Sequence, residues 1–457
     1  MQRAHFGRKH FVGQSIVNVI KFIGPAVLGL TLAGCAGQAV ENADPKRPLA
    51  VDRNVGDVKI STRPLSVDNA VRLGILRSTE VVAAELDIRQ KGNDITIARA
   101  GFYPELYANL SPSIDEDTFA VANAGIRYTL FDFGERAAKL NGSVAAIKGS
   151  QFDLIVEIED SVEETLESYI AVSVENSRVD SAHDYVSSVR SLEQAVRGRA
   201  EIGLASSVDV NEVETALIQA DTALIEARSE QSNAKDALAS KLGVMPKSVV
   251  PISGVREALS TKKIPLSEIE FSSFPRIVSL QTKVEEAQYA LAAASAGILP
   301  RIGVKLGVGV DLRKGEGING TGLSAGPEIS EVFSLGGGRK ERVKNAEIDV
   351  SIAQSRRSEE IRLARLEAVQ SVTSLNTSEQ QVQQRKEILR LSIKTRDVML
   401  SEYEVGTRSL RDLLDAEERI YEAQVDLDEA RRKNLIAQLR YVMATNLASN
   451  KLYRAPK

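Results

Sequence analysis

Apolar residues recur at spacings of three and four along two stretches of the chain that contain no proline, residues 135–200 and 339–404. This spacing is typical of one face of an α-helix. In the first stretch the apolar positions are Ile155, Ile158, Val162, Leu166 and Tyr169. At about 1.5 Å per residue, each stretch predicts a helix roughly 100 Å long.

The apolar stripe on these helices is narrow. After the first stretch it continues in a seven-residue rhythm typical of a coiled-coil seam, at Val213, Leu217, Ala220, Leu224 and Ala227. The other positions are charged or polar, and the segment 378–384 (SEQQVQQ) is polar nearly all round. A helix with so thin a stripe cannot lie in a solid core. We therefore expect a wall one helix thick with water on both sides, or a free-standing coiled coil.

Short runs between the helices alternate in the two-residue period of a β-strand. In residues 301–311 every second residue from Ile302 to Val310 is apolar, and the residues between them are glycine, lysine or aspartate. We predict one strand pair at 106–113 and 121–130 and another at 301–311 and 323–333. Pro327 and Glu328 suggest a bulge in the last strand. The segments 115–118 and 313–321 are predicted as loops.

These strands suit a membrane barrel, in which lipid contacts the apolar residues and a wet lumen contacts the small and polar ones. An ordinary soluble hairpin is the alternative. Bacterial barrels have at least about eight strands, and an open sheet in lipid leaves edge amides unpaired. If the four strands enter a membrane, several chains must therefore combine them.

The chain is predicted to be a duplication, because three motifs occur twice in the same order and at nearly the same separation. AGFYPEL at residue 100 matches AGILPRI at 296, LFDFGER at 130 matches VFSLG at 332, and EIG at 201 matches EVG at 404. We predict a first unit at 65–255 with its hairpin tip near 203. This unit begins with a helical stretch at 65–99, whose counterpart in the second unit is 274–295. The second unit is predicted at 256–449 with its tip near 406, followed by a tail at 450–457.

The N-terminus resembles a bacterial lipoprotein signal. Arg3, Arg8, Lys9 and Lys21 precede an apolar run that ends in Leu-Ala-Gly-Cys at Cys35. We expect residues 1–34 to be removed, Cys35 to carry lipid, and residues 35–64 to be a linker. An ordinary signal peptide with an incidental cysteine is the alternative. Lipidation is favoured because the chain has a single Cys and so no intramolecular disulfide.

Composition argues against several functional classes. A net charge of −4 over 457 residues makes nucleic acid an unexpected partner. Without the signal peptide, His183 is the one histidine left, so neither a His/Cys metal site nor a His-based dyad is expected. The sequence has no HExxH or P-loop pattern. We expect no enzyme activity, no metal and no cofactor.

The segment YEVGTRSLRDLLDAEERIYEAQ at residues 403–424 reads as a helix, a break at Gly406 and a second helix. Tyr403, Arg408, Asp412 and Asp415 lie around this break. From spacing alone, Arg408 and Asp412 form an i,i+4 helix pair that contributes a few tenths of a kcal/mol. Gly203 marks the corresponding tip of the first unit.

Together these features resemble the TolC-like family of outer-membrane channels, over nearly all of the mature chain from Leu65 to Leu447. The resemblance rests on the duplication, the Ala-Gly-x-x-Pro entry to each strand pair, the Leu-Phe-Asp-x-Gly exit and the YEVGTRSLRDLLDA tip. The LFDFGER form is more similar to the type I protein secretion branch. The family has a proline before the Leu-Phe exit, whereas this chain has Thr129 and Glu331 at those places.

The resemblance implies a mainly α fold with a small β part, in which long helical hairpins carry four transmembrane β-strands per chain. Three chains would form a twelve-stranded barrel in the outer membrane of a Gram-negative bacterium, continuous with a helical tunnel through the periplasm. Partners would be a periplasmic adaptor protein, an inner-membrane transporter and outer-membrane lipid. The cargo is not identified.

By the same resemblance, the tips close the tunnel. Tyr403 and Arg408 would hold neighbouring helices closed through hydrogen bonds and a salt bridge, while Asp412 and Asp415 would surround the constriction with carboxylates. Such a ring favours cations. The adaptor would contact the tips at Gly203, Leu204, Ala205, Ser206, Gly406, Thr407 and Ser409.

Two alternatives remain. One is a periplasmic lipoprotein scaffold, a soluble coiled coil on a lipid tether, against which the alternating strand at 301–311 argues. The other is an adaptor, but an adaptor carries one helical hairpin in a mostly β chain, whereas this sequence repeats a mostly helical unit.

Overall fold

The structure is a computed structural model that describes residues 64–112, 118–313, 317–330, 338–448 and 452. Several predictions lie outside the described residues. They are the signal peptide, lipidation at Cys35, the linker up to residue 63, the second exit motif at 332–336, and the C-terminal tail apart from Leu452.

The described residues form eight α-helices and four β-strands. The first half contains α1 (Val67–Arg77), α2 (Thr79–Ala100), β1 (Glu105–Pro112), β2 (Thr118–Phe131), α3 (Glu135–Glu201), α4 (Ser207–Leu242) and α5 (Ile252–Leu259). Two short 3₁₀ helices, Leu266–Glu268 and Phe271–Ser273, follow. The second half contains α6 (Pro275–Ala296), β3 (Arg301–Arg313), β4 (Gly317–Ser330), α7 (Gly338–Glu404) and α8 (Leu410–Ala444).

This composition confirms the predicted fold class, mainly helical with four strands. Helices α3 and α7 have 67 residues each, and their ends lie within one residue of the predicted ones. The predicted helix at 65–99 is instead two helices, because the Ser78 side chain caps a new helix by accepting from the Val81 amide at 3.2 Å. Helix α5 runs across residues 255 and 256, where the two units were predicted to meet; that division stays a prediction. In the described ranges no helix is long and apolar enough to cross a membrane.

The four strands form one antiparallel sheet in the order β1-β2-β3-β4. Strands β2 and β3 join the two predicted hairpins, with Ile126 opposite Leu306. The predicted bulge at Pro327 is wrong, because the β3–β4 register continues through Val304 opposite Pro327. Strand β4 is an edge strand, where a missing amide is tolerated. The register shifts instead between Val310 and Asp311 of β3, opposite Thr321 and Asn319 of β4. The predicted loop at 313–321 is wrong for residues 317–321, which belong to β4.

One face of this sheet is apolar and the other is polar. Cross-strand register places Leu106, Ile126, Leu306 and Ala325 in one row, and the neighbouring row contains Ala108, Ala124, Val308 and Leu323. Leu106 is 82% exposed and Leu323 is 85% exposed. The described side chains of the opposite face include Tyr107, Asn109, Arg127, Lys305 and Glu328. The apolar face is therefore uncovered in the single chain.

The helices lie side by side in one layer. Near the sheet, α3 packs against α2 and α6, and α6 packs against α7. Further from the sheet, α3 packs against α4 and α8, and α8 packs against α7. At both levels α7 therefore lies at one edge, while α2 and then α4 lie at the other.

A buried tyrosine ties the middle of this layer to the chain segments that cross it. The Tyr169 hydroxyl accepts from the Val250 amide at 3.0 Å and donates to the Leu65 carbonyl. The ring is fully buried in a core with Leu166, Ile170 and Leu439. Burial raises the pKa of Tyr169 to about 12, so its hydroxyl keeps its proton at neutral pH.

We expect Tyr169→Phe to lower the free energy of unfolding by about 1–3 kcal/mol, because two buried backbone groups lose their partner. The measurement is urea unfolding of the detergent-solubilised protein. Tyr103→Phe is the matched control, since Tyr103 is 69% exposed, and we expect it to change stability little. Equal effects of the two variants would contradict the role given to the Tyr169 hydroxyl.

Candidate functional site: the two hairpin tips

Both long helices end in the same way. At the end of α3, the Leu204 amide donates to the Arg199 carbonyl at 2.8 Å and the Gly203 amide donates to the Ala200 carbonyl at 3.0 Å. The end of α7 repeats this pattern from Thr407 and Gly406. These are Schellman motifs, which satisfy the last carbonyls of a helix.

The glycines are required by backbone geometry. Gly203 has φ of 73° and Gly406 has φ of 81°. Glycine adopts this left-handed conformation without the steric cost that a side chain brings. The chain thus reverses at the two positions predicted from sequence.

The helices that follow the tips start differently. Ser206 caps α4, and Asp209 returns the bond by accepting from the Ser206 amide at 2.8 Å, which completes a capping box. At the second tip, Ser409 accepts from the Asp412 amide at 3.2 Å. The Asp412 carboxylate instead approaches Arg408, with 3.8 Å between Oδ2 and Nη1. The carboxylate of Asp209 is therefore part of the cap at the first tip, whereas the carboxylate of Asp412, at the equivalent position, is part of an ion pair.

Arg408 has a closer partner than Asp412. Its Nε and Nη2 atoms both lie 2.9 Å from Oε2 of Glu402, in the last turn of α7. Arg408 and Glu402 are each 39% exposed, so water screens this pair and each contact contributes about 0.2–1 kcal/mol. Arg408 therefore links the two helices of its own tip.

Tyr403 connects the second tip to the first. The Arg199 guanidinium lies over the Tyr403 ring at 4.8 Å, and Nη1 of Arg199 donates to the Tyr403 carbonyl at 3.4 Å. The ring also packs against a buried cluster that includes Val196, Leu410 and Leu413. Tyr403 and Arg199 thus hold the ends of α3 and α7 together.

Asp415 is exposed and lies away from this group, at a groove between α4 and α8. The groove has a volume of about 350 Å³, and Tyr185, Asn211, Glu212 and Arg411 contribute to its walls. Asp412 therefore pairs with Arg408, whereas Asp415, three residues further along α8, lines the groove. Within the described ranges, no group of three or more His, Cys, Asp or Glu side chains is arranged to hold a metal ion.

The sequence identified the tip residues but missed two of their partners. Glu402 precedes Arg408 by six residues across a turn, and Arg199 belongs to the other unit, so neither pair has a helical spacing. The capping patterns Ser206-x-x-Asp209 and Ser409-x-x-Asp412 were readable signals that were not used. What the tip offers is a set of exposed ion pairs that can form and break, rather than a reactive side chain.

Comparisons of this chain with a family profile, with related sequences and with solved structures agree on one family. A profile described as outer membrane efflux protein matches residues 72–244 and 272–446. The outer membrane efflux protein BepC of Brucella suis is 20% identical over 379 residues, which is 78% of this chain and 80% of BepC. Protein CyaE of Bordetella pertussis is 24% identical over 260 residues, 53% of this chain and 54% of CyaE. The fold is similar to the Campylobacter jejuni CmeC outer membrane channel, with a TM-score of 0.69 and 15% identity over 83% of this chain and 85% of CmeC.

We expect Gly406→Ala to destabilise the second tip by about 1–2 kcal/mol, because alanine is strained at this φ. Amide hydrogen exchange of residues 402–409, followed by mass spectrometry, would then become about 5- to 30-fold faster. Gly198→Ala is the matched control, because Gly198 lies inside α3 with open space around its Cα. That change should stabilise its helix by about 0.5–1 kcal/mol. Unchanged exchange in Gly406→Ala would contradict the strain argument.

Proposed function

The chain belongs to the outer membrane efflux protein family, and from this premise we propose that it is the exit duct of a tripartite efflux pump or a type I secretion system. The duct is a trimer, and it is gated at its periplasmic tips. The observation that carries the proposal is the uncovered apolar face of a four-stranded sheet whose two outer strands pair with no further strand among the described residues.

The sheet supports a place in the membrane. Its rows of leucine, isoleucine, valine and alanine form a face that water would not stabilise, whereas lipid would. The opposite face carries charged and polar side chains suited to a wet lumen. In lipid, the outer edges of β1 and β4 would leave backbone groups unpaired at a cost of several kcal/mol each. Pairing β4 with β1 of another copy removes this cost, and three copies give the twelve strands that the family resemblance implies.

The two edges of the helical layer, which follow the two edges of the sheet, also expose apolar side chains. Helix α7 exposes an apolar stripe on the side away from α6 and α8, with Ile348, Ile352, Leu363 and Leu366 each at least 42% exposed. On the other edge, α4 exposes Ile218 and Ile225, both 67%, and α2 exposes Ile97 at 69%. We propose that the stripe of α7 packs on α2 and α4 of the next copy. This head-to-tail contact closes into a ring at three subunits.

The tips supply the gate in this proposal. The ion pairs of Arg408 with Glu402 and Asp412, and the contact of Arg199 with Tyr403, keep the hairpins close together. The Arg408 ion pairs are exposed and weak, so this part of the closed arrangement opens at low cost. Three copies of Asp412 and Asp415 near the axis would attract cations to the entrance.

The remaining partners follow from the same assembly. We propose that a periplasmic adaptor contacts the tips at Gly203–Ser206 and Gly406–Ser409, and that the adaptor connects the duct to an inner-membrane transporter. The groove beside Asp415 offers a contact surface near these tips. Lipid on Cys35 would anchor the mature chain to the outer membrane, which is the localisation proposed. The duct performs no chemistry of its own.

We expect the double substitution Leu363→Glu with Leu366→Glu to convert trimers into monomers in mild detergent. Burying two unpaired carboxylates in each interface costs several kcal/mol. Size-exclusion chromatography with light scattering gives the mass of the particle. Ser358→Glu adds charge at an exposed polar position of the same helix and should leave the trimer intact. A monomeric wild type, or a trimeric double variant, would contradict the proposed interface.

We expect Arg408→Ser and Glu402→Gln each to raise single-channel conductance in a planar bilayer by about two- to fivefold, since each removes the same exposed ion pair. Asp412→Ala should reduce cation selectivity, measured as the reversal potential in a salt gradient. Arg390→Ser is the control, because Arg390 forms a comparable 2.6 Å ion pair with Glu387 elsewhere on α7.

These variants separate the gate from the duct. Conductance in every variant without any difference between them would leave a channel whose gate lies elsewhere. No conductance from stable trimers of any variant would count against the channel itself.

A further inference from the structure

A cavity lies where the sheet meets the helices. It has a volume of about 600 Å³ and is bounded by the end of α6, the first turns of α3 and α7, and the start of β3. This size is within the usual range for sites that hold small molecules. Its residues include Ala290, Ala293, Ala294, Gly297 and Leu299 on the apolar side.

The polar side of the cavity is strongly basic. Among the described residues that line the cavity, the titratable ones are Lys139, Arg301, Arg339 and Arg342, with Glu135 as the one acid. Four cations against one carboxylate leave a net positive charge in a partly enclosed space. Such a space concentrates anions, because the low-dielectric walls strengthen the field.

Two of the cations are held in place by the acid. Glu135 is buried, and it accepts from Nη2 of Arg301 at 2.8 Å and from Nζ of Lys139 at 2.7 Å. Burial by itself would raise the pKa of Glu135, but the bonds and charges of Lys139 and Arg301 hold that pKa below its ordinary value. Because Lys139 is 58% exposed and Arg301 is 51% exposed, both retain surface for a second partner.

The other two cations come from α7. Nη1 of Arg339 donates to the Ile298 carbonyl at 3.0 Å, which fixes Arg339 at the cavity wall. Arg342 is exposed and lies nearly one helical turn further along. Guanidinium groups present planar donor sets that match phosphate and carboxylate oxygens.

One of the residues that line the cavity, Arg301, belongs to the polar face of the sheet. Because side chains alternate along a strand, Arg301 lies on the same face as Lys305, four residues further along β3. The Lys305 Nζ atom lies 4.8 Å from the centre of the Tyr107 ring. Arg127 lies over the same ring at 5.6 Å. The cations thus continue from the cavity onto the face that lines the lumen in the proposed duct, away from the apolar face that lipid would cover.

We propose that this cavity is a binding site for the oxyanion of a solute, a phosphate or carboxylate group of a small molecule. Arg301, Arg342 and Lys139 bind the oxyanion, Glu135 positions Arg301 and Lys139, and the alanines contact the apolar part of the molecule. The position of the site inside a duct rests on the proposed function, and there it binds the anionic group of a solute that has passed the tips. Binding itself requires one chain only.

The test uses the full mature chain in a neutral detergent and pyrophosphate as the probe, followed by isothermal titration calorimetry. We expect one saturable site per chain, and Arg342→Gln and Arg301→Gln each to weaken binding by about tenfold, the loss of one charge-assisted hydrogen bond. Arg362→Gln is the control: it removes an exposed cation from the same helix, about 30 Å away, and should leave the affinity unchanged. Circular dichroism establishes that each variant is folded.

The outcomes are distinct. No saturable binding by folded wild-type protein, or equal weakening by Arg362→Gln, would overturn the site. Binding of phosphatidylglycerol by protein that does not bind pyrophosphate would assign the cations to lipid and would also overturn the site. Binding that depends on Arg342 in a protein that forms no channel would preserve the site while rejecting the duct. A protein that conducts ions but does not bind pyrophosphate would reject the site while preserving the duct.

Discussion

The backbone of an outer strand must find hydrogen-bond partners, and this requirement shapes the rest of the structure. Strands β1 and β4 are the outer strands of the sheet, and β4 leads toward α7, while β1 follows α2. The unsatisfied edges of the sheet therefore continue into helices that carry uncovered isoleucine and leucine on the same sides. One contact between copies would satisfy both sets of groups, the amides in the sheet and the apolar side chains below it. Stability of the single chain is then inseparable from the concentration of its copies.

The helical layer also depends on polar contacts inside its thin seams. Asp428 of α8 is fully buried and accepts from Ser177 Oγ at 2.9 Å and from Arg431 Nη1 at 2.8 Å. Nearby, the Asn434 side chain donates to Ser378 Oγ at 3.1 Å. An apolar seam alone tolerates sliding by a heptad, whereas a buried polar group must meet its partner. These contacts therefore fix the register of α8 against α3 and α7.

The sequence predicted the elements better than it predicted their contacts. The ends of α3 and α7 were readable because glycine and helical periodicity are local signals. The pairing of β2 with β3 was not, since it joins residues from different units and is decided by the whole sheet. The same holds at the tips: Gly203 and Gly406 were identified, but the partners Glu402 and Arg199 come from tertiary placement. The helix predicted at 65–99 is divided in two by one capping serine, Ser78, which is a local signal.

The length of the long helices has a mechanical consequence. Each starts beside the sheet and ends at a tip roughly 100 Å away, so a rotation of about 5° at the sheet end moves the tip by about 9 Å. A hydrogen bond is lost when its atoms separate by about 1 Å, which at this distance corresponds to well under one degree. A bond at the end of such a lever arm resists torque in proportion to its distance from the pivot. Weak exposed ion pairs at the tip can therefore hold the orientation of a whole helix. A bond near the sheet has a much shorter lever arm, so even a stronger one resists the same rotation less.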